Sequence, residues 1–267
     1  MNDAVNASPG GAGRSGFAGK IAVVTGAYGD IGAAVVEALA AHGATVYAAD
    51  IRFTGASAPR SHGPGRIIPV ALDVTDSAAV SSAFAHVAAA SGPATLLVNA
   101  AGGPGRTRTP IDEVTDDAWH TVVRVNLDSA FHCAREAVRW MKKSTVGGCV
   151  VNISSGAGRT YSRTGVQAYA AAKAGVIGLT RQLAREVGPA GIRVNCVAPG
   201  LVDVTAIHDE ITSLGADGLE RHLSGVAMGR LGRAEDLVGP ILFFLGTDSA
   251  YVTGQTISVD GGSTMLG

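Results

Sequence analysis

From Lys20 onward, short runs of β-branched and aliphatic residues recur along the chain, separated by longer alanine-rich segments. The apolar runs fall at 21–25, 45–50, 67–72, 95–99, 149–154, 192–197 and 256–259, and each reads as a strand. They are nearly continuous rather than alternating, the pattern of strands covered by helices on both faces. Helices are predicted between them, near 31–42, 76–90, 116–142, 167–187 and 234–246. This alternation predicts an α/β fold: a doubly wound, mostly parallel seven-stranded sheet with helices on both faces and right-handed crossovers.

Two stretches break the rhythm. Residues 52–66, rich in Gly, Pro, Ser and Arg, read as a surface loop. Residues 203–230 follow a strand but hold only weak helical pieces broken by glycines. Ligands of doubly wound sheets bind beyond the C-terminal strand ends, so this insertion is a candidate substrate lid. Residues 1–16 are small, polar and glycine-rich, without the apolar run of a signal peptide. They read as a disordered tail ahead of a single domain over 17–267.

Composition narrows the class. Of 267 residues 46% are hydrophobic and 16% charged, enough to bury a sizeable core. A net charge of −1 provides no broad field for nucleic acid or an acidic membrane surface. No uninterrupted apolar stretch approaches a membrane span. Cys133, Cys149 and Cys196 are far apart and form no CxxC, so they read as small buried residues of a reducing compartment. The histidines show no metal-ligand spacing, and no metal site is expected. The expectation is a soluble cytoplasmic protein with neither nucleic-acid nor membrane partners.

Candidate chemistry begins where the first strand runs into Thr25-Gly26-Ala27-Tyr28-Gly29-Asp30-Ile31-Gly32 and then a helix. Glycines at such a turn let the backbone approach a pyrophosphate, whose charge the helix N-terminus stabilises. Asp50 ends the next strand, where a carboxylate accepts hydrogen bonds from ribose hydroxyls and repels a 2′-phosphate. Arg52 is close enough to complicate that argument. The reading is a dinucleotide site that prefers NAD to NADP.

Tyr169 and Lys173 stand at i and i+4 in an alanine-rich helical segment, on one face. A free phenol titrates near 10, too high for easy proton exchange at neutrality, and a neighbouring ammonium favours the phenolate. Spacing of this kind also arises by chance in helices, so context decides. Upstream, Val151-Asn152-Ile153-Ser154-Ser155-Gly156 ends a strand and brings a serine hydroxyl to the same sheet edge, able to hydrogen-bond a substrate oxygen. Asn126, within a long helix, reads as a satisfied core amide or as the holder of a relay water.

These pieces together resemble the short-chain dehydrogenase/reductase family over residues 18–263. The matching segments are Thr25 to Gly32, Asp73-Val74, Asn99-Ala100-Ala101-Gly102, Asn126, Ser155, Tyr169 with Lys173, and Pro199-Gly200. The C-terminal run from Gly229-Arg230 through Thr253-Gly254-Gln255 to Val259-Asp260-Gly261-Gly262 also matches. The resemblance implies a Rossmann-type fold and an oxidoreductase that interconverts a secondary alcohol and a ketone by hydride transfer. It implies Tyr169 as general acid/base, with Lys173 lowering its pKa and binding the nicotinamide ribose. Ser155 would orient the reacting oxygen and Asn126 would support a water relay. Gly26, Gly29, Asp30, Ile31, Gly32 and Asp50 would hold the dinucleotide. Asp73 and Val74 would contact adenine, while Asn99, Ala100, Ala101 and Gly102 would line the cofactor path. Pro199, Gly200 and Val202 would flank the nicotinamide.

A homotetramer is also implied, with faces on the helices at 116–142 and 167–187. The resemblance equally allows a 3-oxoacyl-[acyl-carrier-protein] reductase, or a dinucleotide-binding sensor without turnover. The small-molecule substrate is otherwise open, although Arg106, Arg108, Arg159 and Arg163 near the pocket would suit an acidic one.

Three departures from the family pattern stand out. Asp30 occupies the second glycine position of the usual TGxxxGxG, where it either caps the helix or repels the pyrophosphate. Ser155 lies 14 positions before Tyr169, one more than is common. The threonine that usually stands five residues after the proline is replaced by Val204, with Thr205 following.

Overall fold

The structure is a computed structural model and describes residues 16–54, 58–144, 146–162 and 165–265. Apart from Gly16, the tail read over 1–16 lies outside the described residues, as does Arg163. In chain order the strands are β1 (Ile21–Thr25), β2 (Thr45–Asp50), β3 (Arg60–His62), β4 (Gly65–Ala71), β5 (Leu96–Asn99), β6 (Gly148–Ile153), β7 (Ile192–Pro199) and β8 (Thr256–Val259). The main helices are α1 (Asp30–Ala41), α2 (Ser77–Ser91), α3 (Asp116–Val123), α4 (Ser129–Met141), α5 (Gly156–Arg159), α6 (Gln167–Val187), α7 (His208–Ser213), α8 (Gly215–Leu223) and α9 (Ala234–Leu245).

The sheet runs β3-β4-β2-β1-β5-β6-β7-β8, and every neighbouring pair is parallel except β3 with β4. Strand side chains alternate between two cores. Val24, Val46, Val98, Val151 and Val197 face one, packed with Leu39 of α1 and Leu237 and Phe244 of α9. Val23, Tyr47, Leu97, Val150 and Val194 face the other, packed with Phe84 of α2 and Met141 of α4. Both faces are therefore dry, which explains why the strands read as unbroken apolar runs.

The sheet has eight strands among the described residues, not the seven expected. The extra one, β3, lies in the segment read as loop and pairs antiparallel with β4 across Gly63-Pro64, with Arg60 opposite Ile67 and His62 opposite Gly65. It carries no apolar alternation, because Arg60 and His62 are instead held by Glu37 of α1. The helix expected over 116–142 is likewise interrupted: a π turn over Arg124–Asp128 separates α3 from α4. π turns of this kind concentrate at functional sites. The segment read as a lid contains α7 and α8. Among the described residues no helix is long and apolar enough to cross a membrane. All three thiols are buried, and burial pushes Cys133 up to about 12 and Cys149 and Cys196 up to about 11.

Candidate active site

The order of the sheet reverses between β1 and β5, and beyond the C-terminal ends of these strands lies a cleft of about 690 Å³. That is the crevice where doubly wound sheets bind ligands, and the volume suits an extended small molecule. The turn after β1 forms its floor. Gly29 N–H donates to the Gly26 carbonyl at 3.0 Å, and Gly32 packs so closely on that carbonyl that a side chain there would overlap it. Gly26, Gly29 and Asp30 line the cleft, whereas Gly32 supports it from behind and Ile31 packs against the core.

At the far end of β2, Asp50 is buried and fully engaged. It accepts from the Tyr28 amide (3.0 Å), the Arg52 amide (3.0 Å), Arg52 Nε (3.0 Å) and Arg52 Nη2 (3.3 Å). Burial opposes its ionisation, but the side-chain and backbone bonds from Arg52 and the Tyr28 amide outweigh it and keep its pKa low. The Arg52 guanidinium also stacks on the Tyr28 ring, 4.6 Å from the centroid. Asp73, Val74, Ala100, Ala101 and Gly102 complete the expected wall. Asp73 Oδ1 accepts from the Thr75 amide and hydroxyl, and the Val74 carbonyl contacts His132 Nδ1.

Some expected residues face elsewhere. Asn99 is buried, and its amide donates to Asn152 Oδ1 (2.8 Å) and the Ala130 carbonyl, tying β5 to β6 and α4. Pro199 pairs with Val259, Gly200 packs on Asp260, and Val202 bridges to Gly232, so all three sit past the cleft at the β7 end. Thr205 also faces the cleft, as do residues not singled out from the sequence, among them Tyr28, Thr75, Thr121 and Arg124. Tyr28 could have been found as a neighbour of the turn glycines; nothing local marks Thr121 or Arg124.

The other candidate residues converge beyond the end of the cleft, with Gly102 as the link. Lys173 is buried on α6, and its Nζ donates to the Ile153 carbonyl at 2.9 Å, beneath the end of β6. Burial lowers its pKa to about 8. The ammonium lies 5.5 Å from the centroid of the Tyr169 ring, one turn earlier on the same face. Ser155 caps α5, its Oγ accepting from the Ala157 amide at 3.2 Å. Ser154 instead buries its hydroxyl on the Lys173 carbonyl at 2.8 Å. This favours Ser155 over Ser154 as the available hydroxyl.

Asn126 stands in the π turn. Its amide donates to the carbonyls of Gly103 and Val122 (both 2.9 Å) and accepts from the Gly103 amide (3.1 Å). The side chain is thus a satisfied amide that fixes the loop carrying Gly102.

Gly102 has φ +152°, and a methyl group built there would overlap Asn126 Oδ1 and come within 3.1 Å of Lys173 Nζ. Gly102→Ala is expected to destabilise the fold by about 1–3 kcal/mol through backbone strain and steric overlap. Urea denaturation measures this, and an unchanged midpoint would refute the packing described.

A dinucleotide-type cleft next to a Ser, Tyr and Lys at the strand edges defines a class: Rossmann-fold oxidoreductases. The chain belongs to the short-chain dehydrogenase/reductase family. The family model described as enoyl-(acyl carrier protein) reductase matches residues 26–264. The 3-oxoacyl-[acyl-carrier-protein] reductase FabG of Escherichia coli (strain K12) is 38% identical over 251 residues, covering 94% of this chain and 99% of that protein. A solved short-chain type dehydrogenase/reductase from Mycobacterium ulcerans superposes with a TM-score of 0.83 at 28% identity, covering 93% of this chain and 90% of its own. A protein from Beutenbergia cavernae, described as an NAD(P)-dependent gluconate 5-dehydrogenase and solved with NADP at low occupancy, gives 0.83 at 32% identity, covering 94% and 99%.

Proposed function

We propose that this chain interconverts a secondary alcohol and a ketone, with NAD as the hydride carrier and Tyr169 as general acid/base. The observation that carries the reading is the buried Lys173 ammonium held beside Tyr169 at the strand edge where Ser155 emerges.

The bound nicotinamide supplies or accepts the hydride; the protein supplies orientation and proton transfer. The Ser155 oxygen is already an acceptor for Ala157, so its proton is left to donate to the substrate oxygen. Tyr169 passes a proton to that oxygen in reduction and takes one in oxidation. Lys173, with a pKa of about 8, is mostly protonated at neutral pH and favours the phenolate of its neighbour. Asn126 acts on this end by holding the 102–103 loop against Lys173 through its side-chain amide.

The glycine turn and the α1 N-terminus would hold the pyrophosphate, and Asp73 and Val74 the adenine. Pro199, Gly200 and Val202 would back the nicotinamide. NAD is favoured because Asp50 places a buried carboxylate where a 2′-phosphate on the adenosine ribose would lie, with Arg52 already paired on it. A second reading, NADP-linked reduction of a 3-oxoacyl thioester, is supported by the 38% identity to the acyl-carrier-protein reductase and by the NADP in the Beutenbergia cavernae relative. Asp50→Ala separates the two. Removing a carboxylate that would repel a 2′-phosphate and freeing Arg52 for that phosphate should shift the ratio of kcat/KM toward NADP by about 100-fold. A wild type that already prefers NADP, with a ratio unmoved by the substitution, rejects NAD.

Arg159 Nη1 donates to Ser258 Oγ at 2.8 Å, so this arginine is anchored beside the site, while Arg106 and Arg108 are exposed. Self-association is supported by Phe131 on α4 and Phe243 on α9, each 43% exposed.

A further inference from the structure

Two departures from the family pattern meet in space. Asp30 stands where the turn usually has glycine, and the threonine after Pro199-Gly200 comes one position late, at Thr205. The Asp30 carboxylate accepts from the Thr205 amide at 2.8 Å and, more weakly, from its hydroxyl at 3.4 Å, across 175 positions of sequence. Thr205 opens the short 3-10 turn Thr205–Ile207 at the start of the lid.

The contact stands at a boundary. Asp30 and Thr205 line both the 690 Å³ cleft and an adjoining cavity of about 440 Å³ beside Asp203 and His208. At its root the lid is fastened where the Asp203 amide donates to the Gly232 carbonyl, and at its far end where the Met228 amide donates to the Gly261 carbonyl. Between those points Val204 packs on the core, but no described residue from 203 to 225 is fully buried. The contact is solvent-exposed, yet in a segment with so little apolar burial a charge-assisted hydrogen bond still adds to local stability.

We propose that Asp30 is a positioning residue whose carboxylate latches the lid, through Thr205, onto the dinucleotide turn, so that cofactor release requires the latch to open. The proposal rests on reading this cleft as a dinucleotide site. It explains how a carboxylate is tolerated beside a pyrophosphate position: the charge is turned toward the Thr205 donors and complements the N-terminus of α1.

Three variants test it, followed by hydrogen exchange of the free protein over 203–214 and by stopped-flow release of NADH. Asp30→Gly removes the acceptor. Thr205→Pro removes both donors from the lid side; proline suits the first position of a helical turn, and the extended backbone of Val204 (φ −136°, ψ 152°) accepts a following proline. Asp30→Asn removes the charge but keeps a neutral acceptor, roughly half as strong. Asp30→Gly and Thr205→Pro are expected to speed both lid exchange and NADH release by about 10-fold, with Asp30→Asn within about two- to three-fold of wild type. If Asp30→Asn matches Asp30→Gly, or if Asp30→Gly slows release, repulsion of the pyrophosphate is at work and the latch is wrong. Unchanged lid exchange in Asp30→Gly also overturns it. The exchange measurement needs no dinucleotide, so it decides the latch even where the cofactor reading fails.

Discussion

Tyr169→Phe is expected to cut turnover about a thousand-fold while leaving the fold and NADH affinity nearly unchanged. The substitution keeps the ring, so the half-buried packing on α6 and the 5.5 Å approach of the Lys173 ammonium to its face survive. Only the hydroxyl is lost, and with it the group proposed to exchange a proton with the substrate oxygen. Positioned proton transfer contributes roughly 10²- to 10⁴-fold to an enzymatic rate. Ser155 and the buried ammonium remain, so residual activity reflects orientation and electrostatics without the acid. Steady-state assays over a panel of secondary alcohols and ketones measure the loss, and fluorescence titration with NADH measures the binding. Turnover within ten-fold of wild type would sink the assignment of Tyr169. Loss of both binding and melting temperature would mean instead that the hydroxyl is structural.

Features carried by local spacing were legible in the sequence; features made by distant partners were not. The parallel strands announced themselves because both faces are dry, as Val23 and Val24 show by packing into opposite cores. Strand β3 escaped notice because its side chains satisfy Glu37 rather than a core. The i, i+4 pair on α6 could be placed on one face from the helical repeat alone, and the strand-ending serines followed from the apolar run before them. Choosing between those serines took the structure, since the Ser154 hydroxyl is spent on a carbonyl 19 positions away. Asp50 was readable as the end of β2, but not that Arg52 folds back onto it with two side-chain nitrogens. Asp30 was an anomaly in sequence for the same reason: its partner lies on the lid, at Thr205.

Replacing Lys173 with methionine is expected to give a protein that is more stable and nearly inactive. In the free enzyme the ammonium is buried, and desolvation lowers its pKa from 10.5 to about 8. The sign follows from proton binding. Between pH 8 and 10.5 the unfolded lysine holds its proton while the folded one has released it, so stability rises with pH across that window. Below pH 8 both states are protonated and the full penalty is present, about 3 kcal/mol at ~1.4 kcal/mol per pKa unit. Methionine fills a similar volume without charge and removes the penalty. It also strips the Ile153 carbonyl of its donor, which returns about 1–2 kcal/mol. The net gain at pH 7 is about 1–2 kcal/mol, or roughly 2–8 °C in melting temperature. The advantage should vanish at about pH 9–10 and reverse by about pH 10.5, where only the lost hydrogen bond to Ile153 still separates the two. Turnover should fall at least about 100-fold, because the phenol of Tyr169 loses the charge that favours its ionised form. Thermal melts at pH 7 and 10 with parallel assays check both halves. A destabilised variant that retains normal turnover would show that Lys173 is a structural anchor for Ile153 and has no part in proton transfer.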